Sequence, residues 1–327
     1  MRQLKDSLQQ RDTAKNRAAI VLAGGDGSRL SFLTKLISGR EIPKQFCPIA
    51  SDRTMLEETL ERTEALVPRE HTVVVVNRAH RLCYQPFLTD LATRQVVEQP
   101  RNRGTAPAIL YGLRRLLELG SNATVAVFPS DHYIGNSEQF IRQVDNAFRT
   151  IDEFPQLCLL LGIAPSGPET SFGWVEPGAK ISTDRSDIHL VRRFWEKPSQ
   201  QNADRLYRGG CLWNSFILVA ALPVLYSMLA ECAQELFCTF NAEMVGSTPD
   251  NEAYAADRLY RRLDSTGFSE QVLSQCPPNL AVLKMDNIDW NDLGEPARVL
   301  EVVAALKRPP RWFENLARDQ HCNMTLL

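Results

Sequence analysis

Three features are absent from this sequence, and each absence excludes a class of protein. No apolar run approaches the roughly 18 residues that a transmembrane helix needs, and the polar residues 1–17 lack the apolar core of a secretory signal. The formal net charge of −2 gives no basic surface of the kind that binds nucleic acid. We therefore predict a cytoplasmic protein with neither a membrane nor a nucleic acid as its partner.

Paired metal-ligating cysteines are also missing. The eight cysteines show no Cys-x-x-Cys spacing and the five histidines are dispersed, so the spacing supports no zinc site. We expect most of these cysteines to be small buried side chains, and in a reducing compartment we expect no disulfides. What is present is the composition of a globular protein, with 44% hydrophobic and 23% charged residues. The length of 327 residues suffices for one large or two modest domains.

Strand and helix patterns alternate through the first half of the chain. Short apolar runs predict buried strands, and apolar residues at helical spacing predict helices between them. The strands are predicted at 18–22, 72–76, 123–128 and 157–163, and the helices at 55–67, 106–119 and around 140–148. This order predicts an α/β fold with a Rossmann-like, mostly parallel sheet and helices on both faces. The second half predicts a smaller β subregion, with strands at 188–195, 212–219 and 280–285 and a helix at 295–306.

A glycine-rich loop follows the first predicted strand. Gly24, Gly25 and Gly27 lie between that strand and Arg29, and Lys44 follows after a spacer. Glycines let backbone amides approach a ligand closely, and successive amides form an anion-binding concavity. The loop lacks the Gly-Lys pair of a Walker A motif and the third glycine of a dinucleotide fingerprint. It therefore predicts a phosphate-rich substrate, although a plain strand-to-helix turn would also explain its glycines.

Eight short segments carry further information about function. They are LAGGDGSRL (22–30), PKQF (43–46), EQPRNRGTAPAI (98–109), FPSDH (128–132), FGWVEPG (172–178), FWEKP (194–198), LWNS (212–215) and WNDLG (290–294). In this order the segments resemble the sugar-1-phosphate nucleotidyltransferases, and most closely the mannose-1-phosphate guanylyltransferases. The resemblance covers the chain from residue 18 to about 300.

The resemblance implies that GTP and mannose 1-phosphate react to give GDP-mannose and pyrophosphate. Because two phosphate groups of like charge must meet, catalysis rests on positioning and charge neutralisation. By the same resemblance Asp131 and Asp292 hold one Mg²⁺, and the catalytic residues are Arg29, Lys44 and Asp131. A helix N-cap for Asp131 and a turn position for Asp292 are the alternatives. The implied nucleotide-binding residues are Leu22, Ala23, Gly24, Gly25, Gly27, Ser28, Arg29, Lys44, Gly104, Thr105 and Asp131.

The second half is implied to bind the sugar phosphate. Gly173 resembles the glycine that lets the sugar lie close, and Glu196 and Asn214 would bind sugar hydroxyls. Lys197 would pair with the 1-phosphate, and an exposed ion pair with Glu196 is its alternative role. The implied organisation is an N-terminal tail (1–17), a catalytic domain (18–306) with a nucleotide half (about 18–160) and a sugar-phosphate half (about 161–306), and a C-terminal tail (307–327).

Some positions depart from the pattern of that family. The spacer 31–42 is longer than usual, and we expect either a mobile lid over the triphosphate or an inert surface extension. Phe216 stands where the family has a small residue, and Ser269 and Ser274 stand where many relatives have acidic ones. We predict that Trp195 and Trp213 pack against other side chains rather than stack on a ligand.

Other functions stay open at this point. A related enzyme could use UTP or dTTP with glucose 1-phosphate, because base choice depends on a few hydrogen bonds. A metal-dependent glycosyltransferase would usually have Asp-x-Asp where this chain has Ser130-Asp131-His132. A non-catalytic regulatory homologue should have lost a metal carboxylate or a phosphate-binding cation. The sequence also leaves open whether the chain forms a homo-oligomer.

Overall fold

A computed structural model describes residues 16–120, 123–181, 187–275 and 278–319. Its strands follow the predicted ones closely and add four short or irregular ones, β3, β5, β7 and β11. The strands are β1 (Arg17–Ala23), β2 (Thr72–Asn77), β3 (Val96–Gln99), β4 (Thr124–Pro129), β5 (Tyr133–Ile134), β6 (Cys158–Ile163), β7 (Trp174–Ile181), β8 (Ile188–Trp195), β9 (Leu212–Ala221), β10 (Leu280–Met285) and β11 (Trp290–Asn291).

Nine of these strands form one sheet in the order β3-β2-β1-β4-β9-β6-β10-β8-β7. All of them except β8 and β9 run in the same direction, because the pairings of β8 and β9 with their neighbours are antiparallel. The predicted mostly parallel sheet is therefore confirmed. The smaller β region of the second half continues this sheet, and β7 also pairs with β9. A separate two-stranded antiparallel sheet joins β5 to β11.

The hydrophobic core lies on both faces of the sheet. In β1, Ala19 and Val21 belong to one buried cluster and Ala18 and Ile20 to the other, as the two-residue period of a strand requires. Every residue of β2 and of β6 is buried. These are the two strands whose continuous apolar runs predict burial on both faces.

Helices cover both faces of the sheet, as the alternating pattern predicts. They are α1 (Ser31–Ser38), α2 (Met55–Glu64), α3 (Arg81–Tyr84), α4 (Thr105–Glu118), α5 (Ser137–Glu153), α6 (Gln200–Arg208), α7 (Leu222–Cys232), α8 (Gln234–Met244), α9 (Glu252–Arg262), α10 (Phe268–Gln271), α11 (Pro296–Ala305) and α12 (Arg311–Asp319). The helices between residues 200 and 271 are not among those that we predict from the sequence. Within the described ranges, none of the helices combines the length and apolar character that crossing a membrane requires.

Two segments have more structure than the sequence suggests. Most of the spacer 31–42 forms α1, which ends at Gly39 in the left-handed conformation and exposes Phe32 on its outer side. Within the predicted C-terminal tail 307–327, α12 is helical, and the Trp312 indole N–H donates a hydrogen bond to the Ile49 carbonyl at 3.0 Å. The division of the chain into tails and two halves stays a prediction, as does any movement of the spacer.

Candidate active site

The glycine loop lies against the segment that contains Lys44. Gly27 has φ 61°, and a Cβ at this position would lie 3.0 Å from the Lys44 amide nitrogen and 3.1 Å from the Pro43 Cα. The Gln45 side-chain amide donates hydrogen bonds to the carbonyls of Ala23 and Gly25, at 3.1 and 2.8 Å. A residue with a side chain at position 27 would therefore push the two segments apart.

A cavity of about 430 Å³ opens beside this loop, at the carboxyl ends of β1 and β4. Ligands of open α/β sheets bind at this edge. We call its glycine-loop side, where the sequence predicts nucleotide binding, the nucleotide wall. Its β7–β9 side, where the sequence predicts sugar-phosphate binding, is called the sugar wall. The structure brings most of the predicted site residues into this one cavity. They are Leu22, Gly24, Gly25, Arg29, Gly104, Thr105, Asp131, Gly173, Glu196, Lys197, Asn214 and Asp292.

The four other predicted site residues do not line the cavity directly. Ala23 is buried at the end of β1, Gly27 faces Pro43, and the exposed Ser28 begins a single helical turn. Lys44 lies buried beneath the cavity floor. Its Nζ is 3.1 Å from Asp131 Oδ2, and it also donates a hydrogen bond to the backbone carbonyl of Asp292. One ammonium group therefore contacts both of the aspartates that the sequence predicts to converge.

Asp131 is positioned by the end of β4. The hydroxyl of Ser130, the preceding residue, donates a hydrogen bond to the Leu22 carbonyl at 2.7 Å, which fixes the chain beside the glycine loop. Burial by itself would raise the pKa of Asp131, but the neighbouring Lys44 and His132 hold it below its usual range. Burial lowers the pKa of His132, whose ring packs edge-to-face on Trp290 at 5.3 Å. At neutral pH the carboxylate is therefore charged and the imidazole neutral.

Asp292 is held by different contacts. Its Oδ1 accepts hydrogen bonds from the Arg298 guanidinium and from the Gly294 amide, each at 3.0 Å. Arg298 in turn lies 4.7 Å above the ring of Phe172 in the cavity wall. Among the described residues, no group of three or more His, Cys, Asp or Glu side chains is arranged to hold a metal. Two carboxylates on one cavity suit an ion such as Mg²⁺, which takes one or two carboxylates and leaves its other positions to substrate phosphate and water.

Backbone contacts dominate the rest of the nucleotide wall. Gly104 has φ 87°, and a Cβ there would lie 2.4 Å from the Thr266 carbonyl oxygen. The Thr105 hydroxyl accepts a hydrogen bond from the Phe268 amide at 2.8 Å and does not cap α4. The Thr105 hydroxyl keeps its own proton for a further hydrogen bond, so the Gly104–Thr105 segment can offer the cavity a hydroxyl as well as backbone groups.

The sugar wall is built from side chains and strained turns. A Cβ at Gly173 would lie 2.7 Å from the Phe194 ring and 3.2 Å from Glu196 Oε2. Burial raises the pKa of Glu196, and Lys197, whose Nζ lies 3.9 Å from Glu196 Oε1, acts in the opposite direction. Lys197 has φ 42°. A non-glycine residue in this region carries a conformational cost and is typical of functional sites.

Asn214 connects several parts of the sugar wall. Its backbone N–H donates a hydrogen bond to the Gly173 carbonyl at 2.8 Å, and its side-chain oxygen accepts one from the Phe216 backbone N–H at 3.1 Å. Its side-chain nitrogen is 3.5 Å from the hydroxyl of Ser269, one of the positions that departs from the family pattern. Phe216, which also departs from the family pattern, has φ 61° and lines the cavity.

The predicted packing roles of the two tryptophans are confirmed. Trp213 is buried and packs edge-to-face on Phe172 at 4.9 Å. Trp195 lies outside the cavity, where the guanidinium groups of Arg193 and Arg205 lie 3.7 and 4.9 Å from its ring.

Several cavity residues have no role in the sequence-based prediction. They are Gln45, Gln99, Ala108, Pro129, His132, Ser171, Phe172, Phe216, Ser269 and Trp290. Most lie within the quoted segments, so the signal was available, but nothing in the spacing says which side chain faces the cavity. Gln99 is the clearest case, because it lies at the end of β3. A Cβ at Gly24 would lie 2.6 Å from its Nε2, and its Oε1 accepts a hydrogen bond from the Tyr260 hydroxyl at 2.8 Å.

Comparison with known proteins shows which curated proteins this chain is similar to. Mannose-1-phosphate guanylyltransferase from Klebsiella pneumoniae is 26% identical over 297 residues, which cover 86% of this chain and 59% of that protein. The alginate biosynthesis protein AlgA from Pseudomonas syringae is 27% identical over 309 residues, which cover 94% of this chain and 59% of that protein. The chain thus spans about three-fifths of the length of these curated relatives.

Solved structures agree with the sequence comparison. A structure from Thermus thermophilus described as a mannose-1-phosphate geranyltransferase superposes with a TM-score of 0.75 and 26% identity. The superposition covers 88% of this chain and 79% of that one. The family model described as nucleotidyl transferase matches residues 18–308, which include every residue of the cavity. The chain therefore belongs to the nucleotidyl transferase family.

Proposed function

We propose that this chain transfers the guanylyl group of GTP to mannose 1-phosphate, giving GDP-mannose and pyrophosphate. The observation that carries the proposal is the contact of Lys44 with both Asp131 and Asp292, on a cavity with a glycine loop on one side. The other side carries Glu196, Lys197 and Asn214, groups that suit a phosphorylated sugar. The choice of guanine and mannose is supported by the names of the relatives.

The residues of the nucleotide wall would bind and orient the triphosphate. Gly24, Gly25 and the exposed Arg29 line the cavity. Their backbone amides and guanidinium group would neutralise phosphate charge there. Lys44 would hold Asp131 in place and add a fixed positive charge below the reacting phosphate. The sugar 1-phosphate is already ionised at neutral pH, so its attack on the α-phosphate needs no general base.

Asp131 and Asp292 are the residues that would hold a divalent cation, for which we propose Mg²⁺. The low pKa of Asp131 keeps that carboxylate charged, and the hydrogen bonds of Asp292 fix its orientation. When bound, Mg²⁺ would supply further neutralisation of the charge on the two substrates.

On the sugar wall, Glu196 and Asn214 would accept and donate hydrogen bonds to sugar hydroxyls, and Lys197 would pair with the 1-phosphate. The absence of a side chain at Gly173 keeps space beside Glu196. Together the two walls would hold both substrates in line, which is the main requirement of nucleotidyl transfer.

The test is a pyrophosphate-release assay that combines GTP, UTP and dTTP with mannose 1-phosphate and glucose 1-phosphate. We expect the highest kcat/KM for GTP with mannose 1-phosphate, and loss of activity with EDTA that Mg²⁺ restores. Turnover confined to UTP or dTTP would overturn the guanylyl assignment and favour the alternative sugar nucleotidyltransferase. Sugar transfer to an acceptor without pyrophosphate release would instead indicate a glycosyltransferase, and binding without any turnover would indicate a regulatory homologue.

A further inference from the structure

Arg298, in α11, contacts two separate parts of the active site, although its own side chain does not line the cavity. Its Nη1 donates a hydrogen bond to Asp292 Oδ1 at 3.0 Å. Its Nη2 lies 2.6 Å from Glu169 Oε2 and donates a hydrogen bond to the Ser171 hydroxyl at 3.2 Å. A guanidinium group presents its N–H donors in a rigid planar fork, so this one side chain sets the spacing between its partners.

Glu169 belongs to the loop that leads into β7 and the sugar wall. Its Oε1 accepts hydrogen bonds from the backbone N–H and the hydroxyl of Ser171, at 3.1 and 2.9 Å. Its backbone carbonyl accepts one from the Trp174 indole N–H at 2.7 Å. Phe172 lies within this turn and lines the cavity, and the Arg298 guanidinium is 4.7 Å from the centre of its ring. Arg298 therefore supports the loop at two points, the Glu169 carboxylate and the Phe172 ring.

The contacts of Asp292 leave one of its carboxylate oxygens available. Oδ1 accepts hydrogen bonds from Arg298 and from the Gly294 backbone N–H, which together use both of its lone pairs. Within the described ranges no hydrogen bond is made to Oδ2. A Cβ at Gly294 would lie 2.6 Å from Oδ2, so the carboxylate fits here because residue 294 has no side chain. Arg298 thus helps to decide which oxygen of this proposed metal ligand stays free for a cation.

Arg298 and Asp292 are largely removed from water, since 16% of each side chain is exposed. Among the described residues, no other lysine or arginine pairs with the carboxylates of Asp292 and Glu169. Loss of the guanidinium group would therefore leave two carboxylates without the cation between them. We propose that Arg298 is a positioning residue that holds Asp292 and the loop before the sugar wall as one unit. This inference rests on the proposed function, in which Asp292 binds the cation and the sugar wall binds the sugar phosphate.

The bridge that Arg298 forms reaches the sugar wall and not the nucleotide wall. Within the described residues, none of its contacts involves the glycine loop or the Gly104–Thr105 segment. Loss of Arg298 should therefore weaken binding of the sugar phosphate and of the cation, and change binding of GTP little. Arg298 reaches Asp292 through Nη1 and Glu169 through Nη2. Loss of the Glu169 charge should therefore keep the Asp292 contact and weaken binding of the sugar phosphate alone.

The first measurement is hydrogen–deuterium exchange of the full chain, which does not depend on the reaction that the chain catalyses. The Ser171 backbone N–H is bonded to Glu169 and the Gly294 backbone N–H to Asp292, so peptides that contain these amides report on the two ends of the bridge. Arg298→Met should speed exchange in both peptides by about tenfold, the effect of losing a charged hydrogen bond. Glu169→Gln should speed exchange in the Ser171 peptide alone.

The second measurement is pyrophosphate release with GTP and mannose 1-phosphate. Arg298→Met should raise the KM for mannose 1-phosphate and the Mg²⁺ concentration for half-maximal rate, each by about tenfold, and leave the KM for GTP little changed. Glu169→Gln should raise the KM for mannose 1-phosphate alone. Arg298→Lys keeps the charge without the planar fork, so its values should lie between those of the wild type and of Arg298→Met.

A matched control and two separate readouts make the result decisive. Arg308→Met removes an arginine from an exposed position beyond α11 and should leave exchange and kinetics as in the wild type. Wild-type exchange in either peptide of Arg298→Met, or equal increases in its two KM values, would overturn the positioning role. If Arg298→Met does not fold, a wild-type KM for mannose 1-phosphate in Glu169→Gln would overturn it. A wild type without turnover would instead refute the proposed function, and the exchange rates would still decide the role of Arg298.

Discussion

The nucleotide wall and the sugar wall hold their side chains by different means. The nucleotide wall follows parallel strands, and backbone contacts fix it: Gly27 against Pro43, and Gly104 against Thr266. The sugar wall uses antiparallel strands, side-chain contacts around Asn214, and residues such as Lys197 at positive φ. For the substrates that we propose, a wall fixed by its backbone would suit a triphosphate common to many reactions, whereas a wall fixed by side chains could change its sugar with few substitutions.

The largest expected effect is on kcat, and it should differ between variants of Asp131 and Asp292. Asp131→Asn removes the carboxylate that lies 3.1 Å from Lys44 Nζ, and we expect kcat to fall on the order of a thousandfold. Asp292→Asn should cost less, because Lys44 contacts Asp292 through its backbone carbonyl, which the substitution keeps. Steady-state kinetics, with the exposed Asp250→Asn as control, measures both. Equal losses in the two variants would show that the Lys44 contacts do not distinguish the aspartates.

The next largest effect is on KM, and substituting one glycine from each wall should reveal it. Gly173→Ala places a Cβ 2.7 Å from the Phe194 ring, and we expect roughly a tenfold higher KM for the sugar phosphate with little change for the nucleotide. Gly27 has φ 61°, and a Cβ there would lie 3.0 Å from the Lys44 amide nitrogen. Gly27→Ala should therefore raise the KM for the nucleotide and change the KM for the sugar phosphate little. Gly167→Ala is the control, because its Cβ would meet nothing within 4 Å. If both active-site variants raise the same KM, the division into two walls is wrong.

A smaller effect concerns the strain stored in the sugar wall. Lys197→Gly and Lys197→Ala both remove the ammonium group, but only glycine adopts φ 42° without cost. The glycine variant should therefore be more stable than the alanine variant by about 1 kcal/mol, as measured by urea denaturation. Lys180→Gly and Lys180→Ala, at an exposed position in β7, are the matched controls. There the alanine variant should be the more stable one. Equal stability of Lys197→Gly and Lys197→Ala would contradict the claim that the positive φ of Lys197 costs free energy.

The smallest effect is on the pH dependence of stability. His80, whose Nε2 lies 3.7 Å from Asp26 in the glycine loop, and Glu196, on the sugar wall, should contribute slopes of opposite sign. Burial lowers the pKa of His80, beside the glycine loop, so below about pH 6.5 the unfolded chain gains a proton that the folded chain does not, and the free energy of unfolding falls. Burial raises the pKa of Glu196, so just above pH 4.5 the folded chain keeps a proton that the unfolded chain releases. In that window the contribution of Glu196 to stability falls as pH rises.

Denaturation curves of His80→Gln and Glu196→Gln across this pH range test the two signs. Each variant should flatten the slope of the free energy of unfolding in its own window and leave the other window as in the wild type. A wild-type slope in the His80→Gln variant below about pH 6.5 would contradict the assignment.

Much of the sheet could be predicted from the sequence, because its central strands are continuous apolar runs. The four-residue strand β3, with Glu98 and Gln99 at its end, gives no such run, and so the cavity role of Gln99 was missed. The glycine loop and Asp131 fall at the carboxyl ends of predicted parallel strands, which is why their proximity could be expected.

Other features of the site depend on contacts that no local pattern encodes. The contact of Lys44 with Asp292 joins segments from opposite ends of the sequence, and the positive φ of Phe216 arises from the turn that Asn214 stabilises. The edge-to-face pair of His132 and Trp290 also forms only when β5 and β11 meet. The roles of all these residues in binding and catalysis stay predictions until the variants above are measured.

The position of Lys44 also bears on how the protein is made. During synthesis the lysine leaves the ribosome long before residue 292, so for most of translation its ammonium group has no Asp292 carbonyl to bind. A nascent or truncated chain that ends before β10 lacks both that acceptor and a strand between β6 and β8. The Lys44 contacts are therefore completed late, and we predict that chains ending before β10 lack activity even where their glycine loop is intact.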